Sequence, residues 1–354
     1  MVYDLKQVLV MVVTTFIFSA LITPLIKKIA IYIGAIARPN ERSVHHEEMP
    51  QLGGLAIFSG FILGYMLFAE QTVMMNSILI GSFIIIITGI IDDINPIKAK
   101  YKWIAQLASA SIVVFYGRIL LKDISAFGYY ITFDIWTYPV TLFFIVAMIN
   151  AINLIDGLDG LAAGISSIYF LTIGIISFIL NTVGGLDIVL SFIMLGSTLG
   201  FLIHNFHPAK IFMGDTGSMF LGFIIAVIAL LGFKNVTLTS FIVPILILAV
   251  PILDTLFAIL RRLINKQPIS QADKQHLHHQ LLKMNFSHTA TVLIIYYIDA
   301  LFAFASIVYV IKDAKIGIFL YIILLAIVLW FVITTNVVVN KEELKKKIKA
   351  KRVR

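Results

Sequence analysis

Long apolar runs separated by short polar segments form the main pattern of this chain. Eleven runs approach or reach the roughly 20 residues that a helix needs to cross a bilayer. They are residues 7–26, 52–69, 73–91, 103–117, 135–155, 160–180, 188–203, 218–233, 236–253, 291–311 (interrupted by Asp299) and 316–335. The pattern predicts an all-α, polytopic integral membrane protein with about eleven transmembrane helices.

Composition supports this class and excludes a water-soluble fold. Hydrophobic residues make up 60% of the 354 residues, charged residues make up 13%, and the mean hydropathy is +0.99. A soluble protein of this size needs far more polar surface. We expect one transmembrane catalytic domain at 1–340, a retained first span rather than a cleaved signal peptide, and a basic cytoplasmic tail at 341–354. Because the chain has no cysteine, disulfide and thiol chemistry are excluded.

Basic residues predict how the helices are oriented. With eleven spans the two chain ends lie on opposite faces, and the segments on the C-terminal side carry 21 of the 27 Lys and Arg residues. Positively charged segments stay in the cytoplasm. The C-terminus is therefore predicted to be cytoplasmic and the N-terminus to be outside, and the tail is expected to lie on anionic headgroups or in solvent.

The same predicted inner face carries the polar residues that could do chemistry. Five aspartates lie there together with lysines and all eight histidines: Asp92, Asp93, Asp156, Asp159 and Asp215. Carboxylates suit Mg²⁺, and the cations suit a polyanion such as a pyrophosphate. A simpler interpretation makes Asp159 and Asp215 helix N-caps, but it does not explain a cluster spread over three loops.

The segment DKQHLHHQLL brings three histidines into four positions. Zinc is disfavoured because this spacing does not place three imidazoles on one helical face and no thiolate is available. Contact with a phosphate or nucleotide and a plain polar loop are the two remaining interpretations.

Five motifs occur in the order typical of one enzyme family: RPNERSVHHEEMPQLGG, DDINPIKAKYKWIAQ, NAINLIDGLDGLAAG, NFHPAKIFMGDTGS and DKQHLHHQLL. Across essentially its whole length the chain resembles the polyprenyl-phosphate N-acetylhexosamine-1-phosphate transferases. These enzymes initiate teichoic acid, O-antigen and related glycans. A sister branch contains the phospho-N-acetylmuramoyl-pentapeptide transferases of peptidoglycan synthesis.

The resemblance implies roles for individual residues. Asp92, Asp93 and Lys102 match catalytic positions near the lipid phosphate, and Asp156 and Asp159 match catalytic positions at the nucleotide sugar. Asp215 matches the Mg²⁺ ligand, with Mn²⁺ as an alternative metal. The substrate-binding positions implied in the same way are Gln106, Asn153, Asn205, Phe212 (stacking on uracil), His276, His278, His279 and His45.

The sequence departs from the pattern of the peptidoglycan branch in a way that favours the N-acetylhexosamine branch. His46 stands where the peptidoglycan branch has a lysine, and DKQHLHH replaces a Pro-x-His-His-His run. The implied activity transfers N-acetylhexosamine 1-phosphate, with UDP-GlcNAc as the favoured donor, to undecaprenyl phosphate at the cytoplasmic face of the cell membrane. The expected partners are these substrates and the bilayer, without nucleic acid; a homodimer is compatible with the sequence.

The chemistry can also be stated from the residues themselves. Two anionic reactants must approach each other, so the barrier is mainly charge repulsion and positioning. A monoester phosphate, with a second pKa near ~6, is already mostly dianionic at neutral pH. Asp92 is therefore favoured as a positioner of phosphate or metal over a general base, and a covalent aspartyl-phosphate stays open.

Three alternatives compete with this interpretation. The first is the peptidoglycan-branch transferase. The second is a cation-coupled transporter that would use Asp254 and Asp299, although its charges should lie near the midplane rather than on one face. The third, a phosphatidyltransferase, lacks its expected motif because DGLA is not followed by arginine.

Overall fold

The computed structural model describes residues 3–38, 48–126, 129–180, 185–232, 242–264, 266 and 276–334. Its helices are α1 (Leu5–Ile33), α2 (Gly54–Phe68), α3 (Val73–Ile94), α4 (Ala99–Ser111), α5 (Thr137–Ile155), α6 (Leu161–Ile179), α7 (Leu186–Asn205), α8 (Gly214–Gly232), α9 (Ile242–Ile247), α10 (Ala249–Ile264), α11 (Leu277–Lys283), α12 (His288–Ile307) and α13 (Ala314–Thr334). Short π-helical segments follow α4 (Ile112–Tyr116) and α12 (Val308–Lys312). The all-α class is therefore confirmed.

Two short antiparallel pairs are the strands of the described chain. β1 (Ile36–Ala37) pairs with β2 (Met49–Pro50), and β3 (Asp123–Ala126) pairs with β4 (Tyr129–Thr132). The first pair closes the connection between α1 and α2. The second lies in the connection between the π-helical segment and α5.

Eight helices of the described chain are long and apolar enough to cross a membrane. Each of the eleven predicted runs overlaps at least one helix, so the protein is a multi-pass membrane protein. The number of spans and their orientation stay predictions. The ninth run, 236–253, differs most, because its described part divides between α9 and α10, and α10 continues to Ile264.

Helix α8 forms the centre of the bundle. Every residue from 216 to 231 is buried, and α8 contacts α2, α3, α5, α6 and α7. A helix that is apolar on all sides is typical of a buried position. By contrast, α13 leaves most of its side chains exposed, as expected for a helix that faces lipid.

Glycines allow the central helices to approach at backbone distance. A Cβ on Gly200 of α7 would lie 2.3 Å from the carbonyl oxygen of Phe16 in α1, and one on Gly222 of α8 would lie 2.6 Å from Cα of Ile149 in α5. Small residues at helix interfaces are the usual means of close packing in membranes. They bring the polar helix ends of the bundle close to one another.

The α2–α8 contact is the one that positions the polar end of α8. A Cβ on Gly54 would lie 2.1 Å from the backbone nitrogen of Gly217. Backbone bonds reinforce the contact, since Gly54 N–H donates to the carbonyl of Met213 over 2.9 Å and Phe212 N–H donates to the carbonyl of Pro50 over 2.8 Å. The segment before α2 is thereby tied to the loop that enters α8.

We expect Gly54→Ala to destabilise the protein by about 1–3 kcal/mol, because overpacking against a rigid backbone costs energy of this order. The melting temperature in detergent should fall, and turnover should fall with it because α8 must shift. The matched control is Gly232→Ala at the other end of α8, where an added Cβ meets nothing within 4 Å. Equal melting temperatures for the two variants would contradict the packing argument.

Candidate active site

Three carboxylates meet where α3 ends and α8 begins. Asp92 and Asp93 lie in the last turn of α3, and Asp215 is the second residue of α8. Each can offer one oxygen so that the three oxygens lie within 4.8 Å of one another. The structure therefore brings together three of the five predicted aspartates, although 122 residues separate Asp93 from Asp215.

Lys102 of α4 neutralises part of this charge. Its Nζ lies 2.7 Å from Oδ2 of Asp215 and 3.2 Å from Oδ2 of Asp92. The other oxygen of Asp92 accepts the N–H of Ile97 over 2.9 Å. Lys102 thus bridges the two carboxylates, whose negative charges favour a cation at the position of its ammonium group.

Asn153 connects the end of α5 to the same cluster. Its Nδ2 donates to Oδ1 of Asp215 over 3.2 Å and to Oγ of Ser218 over 2.8 Å. The carboxylate of Asp215 is therefore held by Asn153 and Lys102. These contacts are with side chains of other helices, so Asp215 is more than a simple helix cap.

Asp93 has a different position from its neighbour. Its Oδ1 accepts the N–H of Asp215 over 2.8 Å, and its Oδ2 accepts the N–H and hydroxyl of Thr216 over 3.1 and 2.6 Å. Gly214, with φ 72°, leaves room for this carboxylate, since a Cβ there would lie 2.3 Å from Oδ2. Asp93 caps the first turn of α8 from outside the helix. A catalytic role for Asp93 stays a prediction, and its contacts assign it a positioning role.

Asp156 follows α5 and is only half-buried. Within the described residues its carboxylate makes no hydrogen bond or ion pair. Burial, together with the nearby carboxylates of Asp215, Asp93 and Asp159, raises the pKa of Asp156 to about 8. These surroundings favour the neutral acid at pH 7, and a cation bound beside it would favour the carboxylate instead.

Asp159 belongs to a second cluster, with His207 and His288, which were not among the predicted site residues. Oδ2 of Asp159 lies 2.8 Å from Nδ1 of His207 and accepts the N–H of Ala209 over 3.2 Å. The N–H of Asp159 donates to Nε2 of His288 over 3.2 Å, and the two imidazoles stack with centroids 4.0 Å apart. Asp159 is not an N-cap, since Gly160 (φ 79°) caps α6 without a side-chain bond. Only the position of His207 in the NFHPAK motif could have indicated its role.

Two side-chain amides that were predicted to bind substrate, those of Asn205 and Gln106, form hydrogen bonds within the protein. Asn205 accepts the N–H of Gly160 and donates to the carbonyl of Ile211, both over 3.0 Å, so it joins two loops while lining the cavity. Gln106 is buried, accepts from Asn150 over 2.8 Å and lies 3.6 Å from Sδ of Met219. Gln106 therefore packs between α4, α5 and α8, and its direct contact with substrate stays a prediction.

The histidine motif forms the start of α11, and its three imidazoles face different surroundings. His276 binds Asp254 through Nδ1 over 2.7 Å, His278 is buried against Gly157, and His279 lines the cavity. Burial and the neighbouring imidazoles lower the pKa of His278 to about 3, so this ring is neutral at pH 7. The predicted residue His45 lies outside the described residues.

These loops enclose a cavity of about 410 Å³. This volume lies within the range of small-molecule sites, about 300–1,000 Å³. Its described lining includes Ala37, Gln51, Asp93, Asn153, Asp156, Gly157, Leu158, Asp159, Asn205, His207, Phe212, Met213, Gly214, Asp215, Ser218, His279 and His288. Seven of the predicted site residues thus share one cavity wall with His279.

The donor set fits a divalent cation. Mg²⁺ prefers hard oxygen ligands and typically uses one or two carboxylates together with substrate phosphates. Asp92 and Asp215 already share a cation, the ammonium of Lys102, and Asp156 lies near Asp215 without a hydrogen-bond partner in the described chain. Asp215, Asp92 and Asp156 are the residues that could hold Mg²⁺ or Mn²⁺.

Comparison with known proteins agrees with the five motifs. The family model described as glycosyl transferase family 4 matches residues 75–233. The chain is 46% identical over 337 residues to the probable undecaprenyl-phosphate N-acetylglucosaminyl 1-phosphate transferase of Bacillus subtilis, covering 92% of this chain and 91% of that protein. It is 34% identical to the decaprenyl-phosphate N-acetylglucosaminephosphotransferase of Mycolicibacterium smegmatis, covering 85% and 82% of the two chains.

A more distant relative extends the agreement. The undecaprenyl-phosphate alpha-N-acetylglucosaminyl 1-phosphate transferase of Yersinia pestis is 28% identical over 301 residues, covering 83% of this chain and 82% of that protein. Each of these three relatives matches more than four fifths of this chain. The chain therefore belongs to glycosyl transferase family 4, among the polyprenyl-phosphate glycosyl-1-phosphate transferases that its motifs resemble.

Proposed function

We propose that the protein transfers N-acetylglucosamine 1-phosphate from UDP-GlcNAc to undecaprenyl phosphate at the cytoplasmic face of the plasma membrane, in a Mg²⁺-dependent reaction. The products would be UMP and a lipid diphosphate sugar, the first membrane intermediate of a cell-wall or surface glycan. The observation that carries the proposal is that Asp215 contacts Lys102, which also binds Asp92, and lines the same cavity as the neighbouring acid Asp156.

Charge neutralisation is the main task of such a site. The lipid phosphate must approach the β-phosphorus of a nucleotide diphosphate, and both groups are anionic. Lys102 places one positive charge between Asp92 and Asp215, and the N-terminal turn of α8 adds its partial positive charge. The stacked imidazoles of His207 and His288 supply further polar groups on the cavity wall.

A divalent cation held by Asp215, with Asp92 or Asp156, would supply the remaining positive charge beside the pyrophosphate when it is bound. The protein groups fix where that charge lies. Asn153 orients Asp215, and Asp93 anchors the α8 turn that carries it. No proton needs to leave the attacking phosphate, because a monoester with a second pKa near ~6 is mostly dianionic at pH 7.

Recognition of the nucleotide base is assigned to Phe212, which lines the same cavity. Phe212 offers the aromatic ring for a base, and its backbone is fixed by Pro50 and Gly53 through bonds of 2.8 and 2.9 Å. An aromatic side chain on a fixed backbone can stack on a planar base at little conformational cost. The loops that form the cavity belong to the segments that carry most of the Lys and Arg residues, and such segments are predicted to be cytoplasmic. This prediction supports entry of the nucleotide from the cytoplasm.

The proposal predicts that the phosphoanhydride bond is the one broken. Purified protein with UDP-GlcNAc, undecaprenyl phosphate and Mg²⁺ should release UMP, not UDP. One phosphoanhydride replaces another, so the equilibrium constant should lie near unity and labelled UMP should exchange into UDP-GlcNAc. The uridine mimic tunicamycin should compete with the nucleotide.

The controls for this assay are a panel of other UDP-sugars and omission of the lipid acceptor. Exchange of UMP should require the lipid if transfer occurs in one step. Release of UDP together with a lipid monophosphate sugar would refute the proposed reaction. Preference for UDP-N-acetylmuramoyl-pentapeptide would instead assign the chain to the peptidoglycan branch.

A further inference from the structure

Asp254 is a buried acid of α10 that the proposed chemistry does not use. Its side chain is 4% exposed, and both carboxylate oxygens bind the beginning of α11. Oδ2 accepts Nδ1–H of His276 over 2.7 Å, and Oδ1 accepts the N–H of Leu277 over 2.8 Å. An ionised carboxylate can only accept hydrogen bonds, so these contacts also fix the tautomer of His276.

Helix α11 depends on this carboxylate for its N-terminal cap. The N-cap residue, His276, makes no side-chain capping bond, and α11 has only seven residues. Helices this short are marginal by themselves and need contacts from the rest of the fold. Within the described chain, Asp254 supplies the acceptor that an N-cap serine or aspartate would otherwise supply.

The position of α11 in turn sets one wall of the cavity. His278 packs behind the loop after α5 so closely that a Cβ on Gly157 would lie 2.5 Å from its Nε2. His279, whose ring centroid lies 4.2 Å from that of His278, lines the cavity itself. A displacement of α11 would therefore move His279 and release the loop that carries Asp156.

Helix α10 presents an apolar face outward on its other side. Leu256, Leu260 and Leu263 are exposed, whereas Asp254, Ala258 and Arg262 are buried. The helix therefore joins the outer surface of the bundle to the cavity wall. Asp254 is the residue of α10 whose hydrogen bonds hold the start of α11.

We propose that Asp254 is a positioning residue: it holds α11 in register against the loop after α5 and thereby determines affinity for the sugar nucleotide without touching it. This inference rests on the proposed function for the identity of the nucleotide. The contact itself can be tested without any substrate.

The experiment compares Asp254→Ala, which removes both acceptors, with Asp254→Asn, which keeps the volume and one acceptor. Hydrogen exchange of the α11 amides 277–283 should accelerate in the alanine variant and less in the asparagine variant. The KM for UDP-GlcNAc should rise about tenfold or more in Asp254→Ala and less in Asp254→Asn. The KM for undecaprenyl phosphate should change little, whereas the melting temperature should fall, more in Asp254→Ala than in Asp254→Asn, because buried donors at the start of α11 lose their acceptors.

The matched control is Asp313→Asn. Asp313 also accepts backbone amides at the start of a helix, α13, but it is exposed and does not line the cavity. A coupling test adds His279→Ala, which should cost less nucleotide affinity in the Asp254→Ala background than in the wild type. Additive effects would contradict action through α11.

Two further outcomes separate this inference from the proposed function. Unchanged hydrogen exchange of α11 in both variants would overturn the positioning role whatever the substrate is. Accelerated exchange with unchanged affinity for UDP-GlcNAc would overturn the link to the nucleotide. If wild-type protein neither binds nor turns over UDP-GlcNAc, the proposed function fails, while the exchange result still decides the contact.

Discussion

Asp215→Asn is expected to reduce turnover about 10³-fold or more while leaving the fold intact. The substitution keeps the shape of the side chain and its contact with Asn153, but it removes the charge that faces Lys102 over 2.7 Å. A metal that neutralises a phosphoryl group contributes several kcal/mol, and each 1.36 kcal/mol corresponds to about a tenfold change in rate. Release of UMP from UDP-GlcNAc is the measurement.

Direct metal binding separates this effect from a folding defect. Mn²⁺ titration followed by paramagnetic resonance should show a site in the wild type that weakens strongly in Asp215→Asn. The control is Asp4→Asn, since Asp4 caps α1 at an exposed position. Near-normal activity of Asp215→Asn at saturating Mg²⁺ would remove Asp215 from the metal site.

The apolar runs predicted the helices well because burial in lipid demands continuous apolar sequence. The prediction was weakest in the ninth run, where α10 extends to Ile264 and ends with the buried Arg261 and Arg262. An amphipathic helix with buried arginines does not have the composition of a transmembrane span. Hydropathy alone therefore places the end of this helix too early.

Which loops meet was also predictable, whereas the partner of each side chain was not. Asp92 and Asp93 are adjacent in sequence, but successive residues of a helix point about 100° apart. As a result, Asp92 faces Lys102 and Asp93 faces the first turn of α8. A motif identifies such a pair as important without stating which member caps a helix.

Two histidines of the cavity wall, His207 and His288, were not predicted because their proximity depends on long-range contacts. His207 and His288 are 81 positions apart, and only folding places their rings 4.0 Å from each other beside Asp159. The start of α12 resembles any polar helix terminus in sequence. Its role on the cavity wall follows from the packing of α12 on α6.

The alternative of a cation-coupled transporter depends on Asp254 and Asp299, and the surroundings of these two acids differ from each other. Asp254 is engaged at both oxygens by α11. Asp299 is fully buried in α12, and within the described chain neither of its oxygens has a hydrogen-bond partner. Membership of a transferase family and a one-sided cluster of polar residues do not support transport, and Asp299 has no explanation in the proposed reaction.

Asp156→Asn and Asp93→Asn are expected to change stability in opposite directions, although both should lower turnover about 10²-fold or more. Asp93 accepts three hydrogen bonds, and an asparagine cannot accept at both of its terminal atoms. Leaving a buried donor without an acceptor costs about 1–3 kcal/mol. Asp93→Asn should therefore lower the melting temperature.

Asp156 accepts no hydrogen bond within the described chain, and burial and neighbouring acids raise its pKa from 3.8 to about 8. Below pH 4 the group is protonated in both the folded and the unfolded chain, so it costs nothing. As the pH rises from 4 to 8, the unfolded chain releases this proton before the folded chain does, and wild-type stability falls. The stabilising effect of Asp156→Asn should therefore grow over this pH range in EDTA.

Added Mg²⁺ should reduce that difference, because a ligand that binds only the folded wild type raises its melting temperature. Thermal unfolding in detergent at pH 5 and pH 8, with EDTA or Mg²⁺, measures each of these changes on the same variants. A lower melting temperature for Asp156→Asn than for wild type at pH 8 in EDTA would show that Asp156 has a stabilising partner. That result would remove the argument that this carboxylate faces a cation.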